Sequence, residues 1–196
     1  QHFIQRPWNP MTTPFFDLML NTETMGLPPT GALLSIGAVF FDIKTQTLGP
    51  TFLRTINLAT AVRDGGTLTP STILWWLGQS DEARKGVRFG GLDIRVVLQE
   101  FSDWIAETCR HADVRPWGNS NSFDLSIVGG AYRRAGLPLP WHWINERDFR
   151  TVRNLYPQVV YDPDEKGDGA HNALADAEFQ ARHLFRIANR NQKAPA

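Results

Sequence analysis

The order of strand and helix patterns is the feature that most constrains what this chain can fold into. Three strand-like segments come first, at residues 15–22, 32–42 and 46–56. The second is rich in β-branched and aromatic residues and follows the turn-forming stretch GLPPTG. The third is joined to the second through DIKTQT, which is typical of a hairpin. The chain is therefore predicted to open with an antiparallel meander.

Helical patterns dominate the rest of the chain. The clearest lies at 93–110, where apolar residues recur at three- and four-residue steps and form one stripe. Strands first, and then helices that alternate with a further strand, predict an α/β fold with a mixed sheet covered by helices. The remaining predicted elements are helices at 69–86, 123–136, 146–156 and 171–190 and a short strand at 114–120.

A single domain is expected over residues 11–190, because 196 residues are typical of one domain. Residues 1–10 are interpreted as a cloning remnant, a non-standard start or an ordinary N-terminal arm. Residues 191–196 are expected to form a flexible tail.

Charge and cysteine content narrow the classes of function. Lys plus Arg and Asp plus Glu number 20 each, so the net charge does not indicate a general polyanion binder, and nucleic-acid contact would need a local patch. The lone cysteine, Cys109, cannot form an internal disulfide and favours a reducing compartment. The sequence has neither an apolar run of membrane-spanning length nor a signal-peptide pattern, so neither feature is expected.

Two polar side chains near the end of the first strand indicate a cation site. Asn21 and Glu23 lie two residues apart, so both point to the same face of the strand. Oxygen donors one strand step apart can bind Mg²⁺ or Mn²⁺. Asp17 has the same parity, but six residues at about 3.3 Å each place it about 20 Å from Glu23. Asp17 is therefore too far away to share a metal with Glu23.

Three later side chains could complete such a site. Asp124 follows a short strand and a Gly/Asn/Ser turn, at a predicted helix start. His171 and Asp176 lie five residues apart at the start of the last predicted helix. Each has an ordinary explanation, because aspartate caps helices well and a surface helix would account for the other two.

The ordered set of Glu23, Asp124, His171 and Asp176 resembles the DEDD exonuclease superfamily, in the DEDDh branch whose general base is a histidine. The motifs look like those of phage exonucleases and of the mycobacterial-type 3′–5′ exoribonuclease-like domain, over about residues 15–187. The segments that carry the resemblance are DLML-x-x-ETMG, STILWWLGQSDEAR, WGNSNSFD, RDFRTV and HNALADAEFQA.

The resemblance implies an RNase H-like fold and hydrolysis of phosphodiester bonds at a 3′ end. Carried over by position, Glu23, Asp124 and Asp176 are metal ligands that converge in one cleft, and His171 deprotonates the attacking water. Two Mg²⁺ or Mn²⁺ ions would stabilise the attacking and leaving oxygens. The expected partner is the single-stranded 3′ end of RNA or DNA, in the cytoplasm of a bacterium or of a phage-infected cell. No membrane partner is expected, and the resemblance is compatible with a homodimer.

Asn21 departs from the family pattern, which places a carboxylate that bridges both metals at this position. Asparagine has nearly the same shape, but it is neutral and offers one oxygen beside an NH₂ group that cannot bind a hard cation. One interpretation is a substitution introduced to stop turnover of an active enzyme. A second is a natural chain that binds nucleic-acid ends without cutting them. A third is an unrelated α/β protein whose acids are helix caps.

Candidate substrate contacts lie close to Glu23 and on the helix predicted at 69–86. Thr24 and Met25 follow Glu23 directly. Trp75 and Trp76 could stack on a base, although one of two adjacent tryptophans on an amphipathic helix normally faces the core. At most one of the two is therefore expected to touch substrate.

Three arginines are candidates for phosphate contacts. Arg147, Arg150 and Arg153 recur every three residues on a predicted helix face, where they could bind phosphates or lie in solvent. The acidic loop at 162–168 precedes His171 and is interpreted as a mobile flap over the site or as a plain solvent loop. Glycines flank the loop, so His171 is predicted to lie in a mobile segment.

Overall fold

The computed structural model describes residues 15–88, 90–161 and 172–193. Within these ranges, five strands form one sheet. The strands are β1 Asp17–Thr24, β2 Leu33–Asp42, β3 Thr47–Thr55, β4 Arg115–Gly118 and β5 Arg147–Asp148. Their order in space is β3-β2-β1-β4-β5, which makes β1 the central strand.

The sheet is mixed, as the order of patterns predicts. β1 pairs antiparallel with β2, and β2 pairs antiparallel with β3, so the first three strands form the predicted meander. β4 runs parallel to β1, and β5 runs parallel to β4. The α/β class and the combination of an antiparallel meander with parallel strands are confirmed.

Seven α-helices flank this sheet within the described ranges. A π-helical turn at Asn121–Leu125 precedes the fifth helix, and a 3-10 turn at Trp143–Asn145 precedes β5. The helices are α1 Leu58–Arg63, α2 Pro70–Leu77, α3 Asp81–Arg88, α4 Ile94–Thr108, α5 Ser126–Ala135, α6 Phe149–Leu155 and α7 Ala173–Lys193. None of the helices that the structure describes is both long enough and apolar enough to span a bilayer.

Side-chain alternation along β1 divides the apolar core into two clusters. Leu18 and Leu20 belong to the larger one, which includes buried residues of α4 and α5. Met19 points to the opposite face and joins a smaller cluster with Ala177 and Leu184 of α7. Both faces of β1 are covered, which explains why its first half is a nearly continuous apolar run in the sequence.

The prediction of one helix over 69–86 is wrong, because the chain breaks between α2 and α3. Gly78 ends α2, and its N–H donates to the carbonyl of Leu74 at 3.2 Å. Ser80 starts α3, since its hydroxyl oxygen accepts the N–H of Ala83 at 3.2 Å. The stretch LGQS therefore contains a helix stop followed by a new helix cap.

Other helices also differ from the predictions, since α5 starts at Ser126 rather than residue 123 and α6 at Phe149 rather than residue 146. The sequence analysis missed α1, which is only six residues long and starts where the side chain of Asn57 accepts the N–H of Ala59 at 3.0 Å. α7 continues to Lys193, beyond the predicted end at residue 190. The predicted N-terminal arm at 1–10 and residues 194–196 lie outside the described ranges.

Candidate active site

The last four residues of β1 extend past the end of their parallel neighbour. β1 pairs with β4 only from Asp17 to Leu20, opposite Arg115 to Gly118. Its pairing with β2 continues to the end of the strand. Residues 21–24 therefore keep a strand on one side and leave a gap on the other. Gaps of this kind, at the carboxyl ends of parallel strands, are common ligand sites.

Asp124 reaches this gap from the π-helical turn after β4. Its carboxyl is 3% exposed, and its Oδ1 accepts the backbone N–H and the hydroxyl of Thr22 at 3.1 and 2.9 Å. Burial raises the pKa of Asp124 to about 6, against the opposing effect of hydrogen bonds from Thr22 and Ser120. The helix-cap explanation for Asp124 is wrong, since its closest hydrogen bonds run to β1 rather than to the amides of α5.

Asp176 approaches the same strand from the other side of the sheet. Asn172 caps α7, because its side-chain oxygen accepts the N–H groups of Leu174 and Ala175 at 3.0 and 3.3 Å. This cap fixes the first turn of the helix, which carries Asp176. The Oδ2 of Asp176 accepts the side-chain N–H of Asn21 at 3.1 Å. Residues 155 positions apart in the chain are thus in direct contact.

The close approach of α7 depends on a glycine in β2. Gly37 pairs with Asn21, and a β-carbon at Gly37 would lie 2.1 Å from the backbone nitrogen of Leu174. The helix face that meets the sheet is also lined by small buried residues, among them Ala173 and Ala177. Because these positions carry no bulk, α7 sits close enough for Asp176 to touch Asn21.

The donor set around the end of β1 suits a hard cation. Asn21 contacts Asp176, Asp124 contacts the neighbouring Thr22, and Glu23 lies one strand step beyond Asn21. All four offer oxygen, the ligand that Mg²⁺ and Mn²⁺ prefer. Within the described ranges, no group of three or more His, Cys, Asp or Glu side chains could hold a metal ion. The residue at the centre of the set is an amide, and its N–H is directed at Asp176.

An open cleft of about 370 Å³ lies against the end of β1. Its wall combines hydroxyl groups, two aromatic rings and a single carboxylate, that of Glu23. This combination is suited to a nucleotide, since a ring can stack on a base while hydroxyls bind sugar and phosphate. The lining residues are Thr22, Glu23, Thr24, Ser71, Thr72, Trp75 and Phe123.

The structure separates the four predicted contacts near Glu23 into two groups. Thr24 and Trp75 line the cleft, and Trp75 is 46% exposed. Met25 and Trp76 are buried, at 8% and 5% exposed, so the prediction that they contact substrate is corrected. Trp76 faces inward and donates its indole N–H to the carbonyl of Thr24 at 2.9 Å. Only Trp75 of the pair lines the cleft, and the expectation that at most one of the two tryptophans touches substrate stays a prediction.

The predicted arginine face does not form. Arg147 lies in β5, before α6 begins, and its guanidinium stands over the ring of Trp117 at 5.9 Å. Arg153 stands over the ring of Tyr161 at 4.8 Å. Arg150 is exposed on α6. The three-residue repeat therefore spans a strand and a helix, and the prediction of one shared helix face is wrong.

His171, the predicted general base, lies outside the described residues, as does the acidic loop at 162–168. Its role and the predicted mobility of its segment stay predictions.

Sequence reasoning missed four residues of the cleft wall, of which Thr22 lies between Asn21 and Glu23 on β1. Ser71 and Thr72 lie four and three residues before Trp75, which is the spacing of side chains on one helix face. That spacing could have identified them once Trp75 was a candidate. Phe123 directly precedes Asp124, but its place in an apolar helical pattern gave no sign that it faces the cleft.

A mixed five-stranded sheet, with polar ligand positions at the open end of its central strand and acids supplied by two later helical segments, defines an RNase H-like nuclease domain. The chain belongs to the family described as the 3′–5′ exoribonuclease Rv2179c-like domain, which matches residues 16–188. The resemblance to DEDDh exonucleases is thereby confirmed, and the protein is of the 3′–5′ exonuclease class.

Individual relatives agree with this assignment. The exodeoxyribonuclease of Enterobacteria phage T4 is 28% identical over 92% of this chain and 94% of its own length. The zinc-bound E. coli exonuclease I in complex with single-stranded DNA has a similar fold, with a TM-score of 0.68 at 16% identity over 92% of this chain. This chain spans 42% of that exonuclease.

A second solved structure matches this chain over almost its whole length. The nuclease domain of 3′hExo, a DEDDh family member bound to rAMP, aligns with a TM-score of 0.61 at 16% identity. The alignment covers 93% of this chain and 96% of that domain. At this level of identity the two structures support the fold.

Proposed function

We propose that this chain is a 3′–5′ exonuclease domain whose hydrolysis of single-stranded ends depends on divalent metal and is suppressed by Asn21. The observation that carries the proposal is the direct contact between Asn21 of β1 and Asp176 of α7. The contact brings a proposed ligand position of the strand beside a proposed ligand of the last helix, which supports a cation shared between them. The Asn21 amide makes the contact with Asp176 but lacks the negative charge that an aspartate at this position would contribute.

In the proposed mechanism, Glu23, Asp124 and Asp176 hold divalent cations beside the cleft. Bound cations would stabilise the attacking and leaving oxygens of the phosphate. Thr22 orients Asp124 through two hydrogen bonds, and Trp75 provides an exposed face on which the terminal base can stack. His171 is assigned the proton of the attacking water through its position in the family motif.

Asn21 weakens this machinery in two ways. It removes one negative charge from the ligand set, and its N–H occupies an Asp176 oxygen that would otherwise face a cation. We expect one ion rather than two to remain bound. The loss of one such electrostatic contribution typically lowers the rate by about 10²–10³-fold.

The contact with Asp176 also supports a second candidate function, a module that binds 3′ ends without cleaving them. The hydrogen bond joins β1 to α7 without metal, so the cleft can keep its shape in the absence of cations. Binding would then use the wall formed by Ser71, Thr72, Trp75 and Phe123.

The substrate is proposed to be a single-stranded 3′ end. Solved complexes of E. coli exonuclease I contain dA16 and dT13 oligonucleotides, which supports a single-stranded substrate. The description of the matching family names RNA, whereas the phage relative is a deoxyribonuclease. Both substrates therefore belong in the assay.

The test compares the chain as it stands with its Asn21→Asp variant on 5′-labelled RNA and DNA oligonucleotides, over a titration of Mg²⁺ and of Mn²⁺. The variant should trim from the 3′ end at least about 100-fold faster, while both forms bind the oligonucleotide. Glu23→Gln in the Asn21→Asp background is the negative control. A variant that binds ends but trims neither substrate would reject the exonuclease and leave the binding module.

A further inference from the structure

Asp148 connects α6 to the turn that carries Asp124. Its Oδ1 accepts the backbone N–H and the hydroxyl of Thr151, both at 2.7 Å, and so caps α6. Its Oδ2 accepts the backbone N–H of Asn121 at 2.8 Å. Asn121 is the first residue of the π-helical turn that ends at Leu125. One carboxylate thus serves two elements with its two oxygens.

A second hydrogen bond reinforces this connection. The backbone N–H of Arg150, in the first turn of α6, donates to the carbonyl of Asn119 at 3.0 Å. Partial burial alone would raise the pKa of Asp148, but the hydrogen bonds from Asn121 and Thr151 hold it below its usual value. The Asp148 carboxylate is therefore a stable acceptor at neutral pH.

The turn that Asp148 holds contributes twice to the candidate active site. Phe123 lines the cleft, and Asp124 is tied to Thr22 of β1. A displacement of the turn would move a wall of the cleft and a predicted metal ligand together.

We infer that Asp148 is a positioning residue, which fixes the Asn121–Leu125 turn and through it both Asp124 and Phe123. The consequence for turnover rests on the proposed exonuclease function, whereas the consequence for the turn does not. Outer partners that orient metal ligands typically contribute about 10–100-fold to metal affinity or activity.

The variant that separates the two roles of Asp148 is Asp148→Asn. Asparagine is a good helix cap, so its oxygen can keep the bonds from Thr151. Its NH₂ group then faces the N–H of Asn121, and two donors cannot bond to each other. Thr151→Val is the matched control, because it removes one bond to the same carboxylate and leaves the bond to Asn121 in place.

A second variant breaks the same bond from the other side. Asn121→Pro removes the N–H that Asp148 accepts and puts the ring Cδ in its place, so Oδ2 must move away, while Oδ1 can turn to keep the bonds from Thr151. Proline is tolerated at the first position of a helical turn, and Ser120 before it already has the extended backbone that a following proline requires, with φ −131° and ψ 127°. Two independent substitutions therefore probe one hydrogen bond.

Hydrogen exchange measured on the chain as it stands tests the structural part. Exchange of the amides at 122–125 should rise about tenfold in Asp148→Asn and in Asn121→Pro, and the double variant should add little to either. Thr151→Val should leave these amides unchanged. Equal exchange in Asp148→Asn and Thr151→Val would overturn the inference, whatever the chain's activity.

Kinetics in the Asn21→Asp background test the functional part. Asp148→Asn should lower kcat/KM by about 10–100-fold and raise the Mn²⁺ concentration for half-maximal rate, whereas Thr151→Val should change neither. Calorimetric titration with Mn²⁺ provides the readout that needs no turnover. Faster exchange with unchanged Mn²⁺ affinity and unchanged kcat/KM would reject the positioning role. An inactive Asn21→Asp protein would reject the exonuclease proposal, and the exchange and Mn²⁺ data would still decide the role of Asp148.

Discussion

Substitution of Gly37 by alanine should show how closely the site depends on the packing of α7. The added β-carbon would lie 2.1 Å from the backbone nitrogen of Leu174 and 2.2 Å from the carbonyl carbon of Ala173. Ordinary carbon contacts need about 3.5–4.0 Å. Both neighbours are backbone atoms, so no side-chain rotation can relieve the overlap. The first turn of α7 would have to retreat by about 1.4 Å or more.

The cost of this retreat follows from what α7 packs against. Its first two turns carry Ala173 and Ala177, which are 1% and 0% exposed, and a gap of that size removes a large part of their dispersion contacts with β2. Overpacking in a core typically costs about 1–3 kcal/mol, of which alanine's preference over glycine in a strand returns about 0.5–1 kcal/mol. Because the overlap is with backbone atoms, the upper end of this cost applies, and we expect Gly37→Ala to lower the free energy of unfolding by about 2 kcal/mol. The hydrogen bond from Asn21 to Asp176 should be lost as well.

Gly129 offers a matched control. A β-carbon there would meet its nearest atom, at the end of the Arg133 side chain, at 3.6 Å, and the residue lies within α5. Gly129→Ala should therefore stabilise the protein by about 0.5–1 kcal/mol. Urea unfolding of both variants gives the two values, and Mn²⁺ titration in the Asn21→Asp background reports on Asp176. If Gly37→Ala matched Gly129→Ala in stability and kept Mn²⁺ affinity, α7 would not be held by this contact.

Three further substitutions test the electrostatics and the cleft. Asn21→Asp should destabilise the metal-free protein by about 1–5 kcal/mol, because a second carboxylate would replace a donor 3.1 Å from Asp176, and Mn²⁺ should reverse the loss in thermal unfolding. Burial raises the pKa of Asp124 to about 6 in the folded protein, above its unfolded value of 3.8. The free energy of unfolding therefore falls as the pH rises from about 4 to 6, and above that range it no longer changes with the ionisation of Asp124. Asp124→Asn should therefore be more stable than the parent by up to about 3 kcal/mol at pH 8 and equal to it near pH 4, as urea unfolding at each pH would show. Trp75→Ala should weaken oligonucleotide binding by about 1–3 kcal/mol with unchanged stability, whereas Trp76→Phe should lower stability, and the reverse pattern would contradict the assignment of the exposed ring.

Four of the five strands and most helices could be predicted because their periodicities are local, whereas the two-residue strand β5 was missed. The alternation of Leu18, Met19 and Leu20 and the apolar stripe at 93–110 each require only neighbouring residues. The contact of Asn21 with Asp176 could not be reached in this way, since it depends on Gly37 and on the cap of α7. Only the resemblance to the ordered motifs of the family predicted that positions 21 and 176 belong to one site.

The errors share a physical cause. Adjacent residues such as Trp75 and Trp76 differ by one step around the helix, and which of them turns inward depends on where β1 ends. The arginine repeat was placed on one helix face because nothing local shows that Arg147 pairs with β4 before α6 begins. Asp148 was not singled out for the same reason, because its partner Asn121 is 27 residues away.

Under the proposed function, position 21 determines which role this arrangement can serve, because Asp124 and Asp176 are each held by contacts that do not involve it. Asp124 is held by Thr22 and by the turn that Asp148 anchors, and Asp176 is fixed by the cap of α7. With asparagine at position 21, its side-chain N–H donates to Asp176 Oδ2 and joins the strand to α7. With aspartate, the same geometry would bring two like charges together, and only a cation between them would relieve the repulsion. Under the proposed function, one nearly isosteric change therefore separates a metal-independent binding cleft from a metal-dependent hydrolytic one, while the wall of the cleft stays the same.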